Sequence, residues 1–190
     1  MFTTTDAIIL SLQPKSDTAH VLHAYTRESG RVHYIVYGVG RKNTAGKYSP
    51  LSFVQLTTDS RSIRTAQLNY VPSTLVTDPY KRTVALFISE VLYHVLRHPM
   101  PDEQMFNFLV QAIQALDQTD EPQNFHLQFL VHFAAKLGFA IPEDDERLTS
   151  MPVTRTERQQ ALKALCEYFS EHVETWQAPK SLDILMEVFD

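Results

Sequence analysis

The sequence predicts a small five-stranded β-barrel followed by an all-α domain, and three observations carry that prediction. Across roughly the first seventy residues the apolar side chains come in short runs, some with a period of two, broken by Gly, Ser and Asp. At Asp78 the period changes to 3.6 and stays there. Charge divides at the same place. Residues 1–76 hold Lys15, Arg27, Arg31, Arg41, Lys42, Lys47, Arg61 and Arg64 against Asp6, Asp17, Glu28 and Asp59, while residues 77–190 hold nine basic and eighteen acidic side chains. The domains are therefore placed at 1–76 and 77–190.

The strands follow in order. Thr5–Leu12 is a short apolar run. Val21–Thr26 and Arg31–Gly38 flank Glu28-Ser29-Gly30, where a glycine supplies the positive φ of a tight hairpin turn. In the second of these, Val32, Tyr34 and Val36 alternate with Arg31, His33 and Tyr37. Gly38–Lys47 is a flexible basic loop. Leu51–Thr58 and Ile63–Val71 complete the set, separated by Asp59-Ser60-Arg61-Ser62. Five short strands with no helical pattern between them suit a barrel, in which closure removes exposed edges.

The helices announce their ends. Asp78-Pro79 is an N-cap followed by proline at the first helical position. Tyr80, Val84, Phe87, Ile88, Val91, Leu92 and Val95 then share a face, with Leu86, Tyr93 and Leu96 on the other side, which predicts a central helix stopped by Pro99 and Pro101. Asp102 opens a second helix carrying Phe106, Leu109, Ile113 and Leu116. Asn124 caps a third that is apolar nearly all round and stops at Gly138. Thr154 and Glu157 form a capping box for a fourth, to about His172, and Ser181 opens a final one to Val188.

Composition excludes several functions. One cysteine, Cys166, permits neither an internal disulfide nor a Cys-rich zinc module, and it lies in an apolar stripe with Leu162, Leu165 and Phe169. The start of the chain has no charged, apolar leader pattern, and no run reaches the roughly 20 apolar residues of a membrane span. A soluble, cytoplasmic protein is expected. Gly40–Tyr48 (GRKNTAGKY) has five residues between its glycines and a tyrosine where a P-loop needs Ser or Thr. His94 and His98 have helical metal spacing but no third ligand nearby. Ser16, Asp17 and His20 are too local for a triad. Glu143–Glu146 (EDDE) follows Pro142 and reads as a solvated loop. No enzyme activity and no cofactor are expected.

What remains is a basic barrel bearing aromatics. Tyr25, Tyr34, Tyr37, Tyr48 and Phe53 interleave with Arg27, Arg31, Arg41, Lys42 and Lys47. Such a surface suits single-stranded nucleic acid, in which cations neutralise phosphates and rings stack on bases at about 1–3 kcal/mol each. Tyr34, in register with Val32 and Val36, is assigned to the interior. His33 and Tyr37, in register with Arg31, are assigned to the outer surface. The candidate contacts are Arg27, Arg31, Arg41, Lys42, Lys47, Arg61, Arg64 and Tyr37, with Arg41, Lys42 and Lys47 ranked first because their loop is free to track a backbone.

The order AIIL (Ala7–Leu10), Ser16-Asp17-Thr18, YTRESGRV (Tyr25–Val32), a glycine, a basic loop and Pro50-Leu51 resembles the N-terminus of RecO, the bacterial recombination mediator family. The helical half is similar too, in Tyr80–Leu92, in Phe106–Leu116, and in Phe129–Phe139 with its closing Leu137-Gly138-Phe139. The resemblance implies an oligonucleotide/oligosaccharide-binding (OB) barrel before a helical domain. It also implies a protein that binds single- and double-stranded DNA, anneals complementary strands, and with RecR helps load RecA onto DNA coated by single-strand-binding protein (SSB). Family members usually carry an inserted segment after the Leu-Gly-Phe helix, sometimes a four-cysteine zinc module. Here Ala140-Ile141-Pro142 and an acidic loop lead almost directly to Thr154, so this is a shortened member without zinc. In the acidic helical half the resemblance suggests the SSB C-terminal tail as a ligand, with Lys136 and Phe133 as candidate contacts, and RecR as the other partner. The alternative is an interaction module that keeps the fold, binds SSB or RecR, and has lost DNA binding.

Overall fold

The computed structural model describes residues 2–39, 45–59 and 62–188. They divide into two compact units that interleave along the chain. The first holds Met1–Ser73 and Leu96–Gln114; the second holds Thr74–Val95 and Ala115–Asp190. Residues 96–114, which lie beyond the 76/77 sequence boundary, thus pack within the sheet unit.

In the first unit, β1 (Thr3–Pro14), β2 (Ala19–Thr26), β3 (Gly30–Tyr37), β4 (Phe53–Thr58) and β5 (Ile63–Tyr70) form one antiparallel sheet in the order β3-β2-β1-β4-β5. This is the OB-like arrangement expected. The sheet is not a closed barrel: among the described residues, its edge strands meet at an isolated parallel bridge, Ile35–Ser62. A bulge between Ile9 and Ser11 bends β1 as it passes from β4 to β2. The predicted alternation on β3 is realised. Val36 is buried and Val32 and Tyr34 pack around a core of Ala7, Ile9, Leu22, Ala24, Tyr48, Val54 and Leu56. Each large aliphatic buried there contributes about 1.5–3 kcal/mol.

The turns show why these strands pair. At the β2–β3 hairpin, Thr26 Oγ1 accepts from Ser29 N at 3.2 Å and donates to the Gly30 carbonyl at 3.2 Å. Gly30 sits at φ +62°, as a tight turn requires. At the β4–β5 turn, Asp59 Oδ1 accepts from Ser62 N at 3.0 Å and from its hydroxyl at 2.8 Å.

In the second unit, a short helix α1 (Thr74–Thr77) precedes α2 (Pro79–Val95). Asp78 Oδ1 caps α2 by accepting from Tyr80 N at 2.8 Å and Lys81 N at 3.2 Å. Val84, Phe87, Ile88, Val91 and Leu92 are buried, so α2 is a core helix as its pattern demands. Tyr80, placed on that face by periodicity, is exposed instead. It stands in the first turn, before the helix is covered. Since α2 ends at Val95, His98 is not on it, and the helical spacing of His94 and His98 is not formed.

Helix α3 (Glu103–Gln118) begins where Asp102 Oδ1 accepts from Met105 N at 2.8 Å, and its last turn belongs to the second unit. Helix α4 (Phe125–Lys136) follows a 3-10 turn at Pro122–Asn124. Asn124 is at its N-cap by position, but the side-chain amide donates to the Pro152 carbonyl at 2.9 Å and makes no cap bond. Gly138, at φ +92°, lies just beyond its C-terminal end. Short α5 (Glu146–Thr149) occupies part of the predicted acidic loop, with Arg147 bidentate on Asp145 at 3.1 and 2.9 Å. Helix α6 (Arg155–His172) carries the predicted capping box, Glu157 N to Thr154 Oγ1 at 3.3 Å and Thr154 N to Glu157 Oε2 at 3.0 Å. Helix α7 (Leu182–Val188) closes the unit, with Ser181 N and Oγ both donating to Glu90 Oε2, at 2.9 and 2.7 Å.

An aromatic stack fills the interior. Phe129 lies 5.4 Å from Phe133, Phe133 6.1 Å from Phe169, and Phe169 5.2 Å from both Trp176 and Phe139. Cys166 is buried on α6 beside this stack's helix face, and burial pushes its thiol up to about 12. It is a core residue at neutral pH, unreactive as a thiolate.

Candidate nucleic-acid interface

Strand alternation decides which side chains face outward. Leu22 and Ala24 enter the core, so His23 between them faces out; Val32, Tyr34 and Val36 face in, so Arg31, His33 and Tyr37 face out. Register then sets neighbours across the strands: Tyr25 opposite Arg31, His23 opposite His33, Ala19 opposite Tyr37. His33 is exposed and Arg31 half-buried, while Tyr37 is 64% exposed at the far end of β3.

The other aromatics that the sequence singles out are not offered to a ligand. Tyr25, Tyr48 and Phe53 are buried and Tyr34 is half-buried against the core. Tyr25 stacks on Phe106 of α3 with centroids 6.5 Å apart, and burial together with Asp102 pushes its hydroxyl up to about 12. The N-terminal part of α3 therefore packs on the outer side of β2 at its Tyr25 end, leaving the His23 and Tyr37 end beyond that contact.

Arg27, on the hairpin, is engaged in structure. Its guanidinium lies 4.4 Å over the Phe106 ring centroid, and Nη1 is 3.0 Å from Asn107 Oδ1 and 3.5 Å from Glu103 Oε1. Its backbone N–H donates to the Asp6 carbonyl at 3.0 Å. Sequence reasoning missed the role of α3 here, since nothing local to Arg27 announces a helix far along the chain. Arg27→Ala is expected to destabilise the protein by about 1–2 kcal/mol, the sum of a cation–π contact and a partly exposed ion pair. A urea-unfolding double-mutant cycle with Glu103→Gln checks this, with a coupling of roughly 0.5–1 kcal/mol expected.

Arg64 is held across the β4–β5 turn, with Nε 2.8 Å and Nη2 2.7 Å from Asp59 Oδ2. Lys47 reaches the Ala66 carbonyl at a long 3.5 Å. Arg41, Lys42 and Arg61 lie outside the described residues. In the helical unit, Lys136 is exposed at the end of α4, but Phe133 has no exposed surface, because the aromatic stack surrounds it. A second basic group lies there: Arg155, Arg158 and Gln159 line a small pocket with His126, Leu162, Leu185 and Met186. Burial, and then the charge of Arg158, hold the His126 ring down at about 3, so it is neutral at physiological pH. Among the described residues no group of three or more His, Cys, Asp or Glu side chains could hold a metal ion. Among the same residues no helix is long and apolar enough to cross a membrane.

An OB-like antiparallel sheet carrying an outward row of cation, imidazole and phenol, followed by a helical region, defines an OB-plus-helix class. Comparison with known proteins makes this specific. Residues 1–79 match the family model described as "Recombination protein O N terminal", and residues 76–149 match "Recombination protein O C terminal". The chain belongs to the RecO family. Relatives named "DNA repair protein RecO" include those of Phocaeicola vulgatus, 28% identical over 240 residues, and Porphyromonas gingivalis, 26% identical over 245 residues. Both alignments cover 100% of each chain. The RecO of Christiangramia forsetii is 26% identical over 236 residues, covering 97% of this chain and 98% of its own. Alignments longer than the 190 residues of this chain mean that the relatives carry segments without counterparts here.

Proposed function

We propose that this chain is a recombination mediator of DNA repair that binds single- and double-stranded DNA through its sheet unit, promotes annealing of complementary strands, and assists RecA loading together with RecR. The observation that carries the reading is the outward row Arg31, His33 and Tyr37, which joins charge for phosphates to a ring for bases on one sheet face. Membership of the RecO family supports the setting in recombination and DNA repair. On this reading the protein is a binding protein of the cytoplasm and not an enzyme. The acidic helical unit serves protein partners, RecR or the C-terminal tail of SSB. For an acidic tail ending in an apolar residue the candidate is Lys136 on α4, while the pocket that Arg155 and Arg158 line beside Leu162 and Leu185, about 10 Å³, would have to open to admit an apolar side chain.

A second reading is favoured by the engagement of Arg27 with Glu103 and of Arg64 with Asp59, which leaves fewer cations for DNA. It is an interaction module that binds SSB or RecR and has no DNA affinity. A salt titration of single-stranded DNA binding separates the two, since log K falls with log salt at about 0.7 per phosphate neutralised. The mediator reading expects a measurable slope. Changing Arg41, Lys42 and Lys47 to Ala should reduce it by up to roughly 0.7 for each phosphate that then goes without a cation. Absence of binding at low salt selects the interaction module.

A further inference from the structure

Beside and beyond Tyr25, the outward face of the sheet carries a cluster of three nitrogen-bearing side chains. His23 on β2 is directly opposite His33 on β3, their ring centroids 6.2 Å apart, and Arg31 stands two residues along β3 on the same face. We propose that His23, His33 and Arg31 together form a phosphate-contact site for the nucleic-acid backbone, and that its grip tightens as the pH falls. The proposal rests on the DNA-binding reading above and extends it to a named subsite and a pH dependence.

The geometry selects an anion as the ligand. His23 and His33 form a direct cross-strand pair and Arg31 is the diagonal neighbour of His23, about 7–8 Å away by strand geometry, a span its long side chain can close on a shared phosphate. A metal is disfavoured by the guanidinium beside the two rings and by the lack of a third ligand among the described residues, Ser11 being the β1 residue opposite His23. From β3, the charged or titratable groups facing His23 are Arg31 and His33. From β1, the neighbours Ser11 and Gln13 carry no charge. Asp102, before α3, acts on the Tyr25 hydroxyl and is not among the groups acting on His23.

Without a ligand the protein keeps His23 neutral. Burial first, then Arg31 and His33, hold its ring down at about 4. A phosphate between these groups would place a negative charge beside the ring, offset the two electrostatic causes though not the burial, and raise that value. Binding then takes up a proton wherever the solution pH lies between the free and bound values. By linkage, affinity must rise as pH falls through that window. The limiting slope is tenfold per pH unit for each proton taken up.

The test measures the affinity of the full chain for a single-stranded oligonucleotide from pH 8 to 5.5 at constant salt. A rise of about three- to tenfold is expected over that range for partial uptake of one proton. His23→Gln and His33→Gln should each flatten it, while His132→Gln, an exposed histidine on α4, should leave it intact. A pH-independent affinity, or a rise that survives both sheet substitutions, overturns the proposal and leaves the DNA-binding reading standing. Ring-proton NMR of the unsubstituted chain titrated with inorganic phosphate guards against misfolded variants. Shifts at His23 and His33 with an upward move in the His23 titration support the site, and unmoved rings overturn it. Failure to bind DNA at any pH overturns the DNA-binding reading instead, and the phosphate titration then decides the anion site alone.

Discussion

Gly30→Ala is expected to lower the thermal midpoint by about 6–12 °C, the equivalent of roughly 3 kcal/mol in a chain of this length. Two effects combine. At φ +62° an L-residue costs about 1–2 kcal/mol. The new Cβ would also run into the Met100 peptide unit, 2.8 Å from its carbonyl carbon and 2.9 Å from its nitrogen, and against its oxygen. That obstacle is backbone and cannot swing aside. Its neighbourhood is fixed as well, for Arg31 N donates to the His98 carbonyl at 3.2 Å. Gly38→Ala supplies the control, because Gly38 has φ +71° with nothing within 4 Å of an added Cβ. Strain without collision should cost only about 1–2 kcal/mol there. Paired thermal melts check the contrast; equal destabilisation of the two variants would show that residues 98–100 do not press on the hairpin.

The same contact shows where sequence stops being informative. Period, caps and turn residues are local, and the elements they mark are present: the Thr154–Glu157 box, the Asp78 and Asp102 caps, the Gly138 stop and the inward row of β3. The packing of residues 96–114 into the sheet unit is not local. It depends on Phe106 meeting Tyr25 and Arg27, and Phe106 looks like an ordinary residue of an amphipathic helix. Arg27 was therefore legible as a cation but not as one already occupied. His23 was missed for a different reason. Alternation alone places it outside, but its neighbour appears only when the β2–β3 register sets it opposite His33. The Asn124 cap fails by orientation, since Nδ2 donates to the Pro152 carbonyl while Oδ1, the atom a cap would use, accepts no bond from the helix start.

Phe133→Ala is expected to destabilise the protein by about 3–5 kcal/mol, the cost of removing a fully buried ring and leaving a cavity. The ring has 0% exposure, stacks on Phe129 and Phe169, and lies on α4 facing α6. Neighbouring rings cannot collapse far into the space, because Phe169 is also held against Phe139 and Trp176. Lys136→Ala, one turn on and exposed, should change stability by less than about 0.5 kcal/mol. The pair separates two roles that the sequence joined. Urea unfolding reads the core role, and calorimetry with an acidic peptide ending in an apolar residue reads the docking role. If Phe133→Ala abolishes peptide binding while Lys136→Ala keeps it, the effect follows from the damaged core and not from a missing side chain at the docking surface. Binding abolished by Lys136→Ala at unchanged stability would assign the docking role to α4. Binding kept there but abolished by Arg155→Ala or Arg158→Ala would move it to the pocket that these two residues line with Leu162 and Leu185.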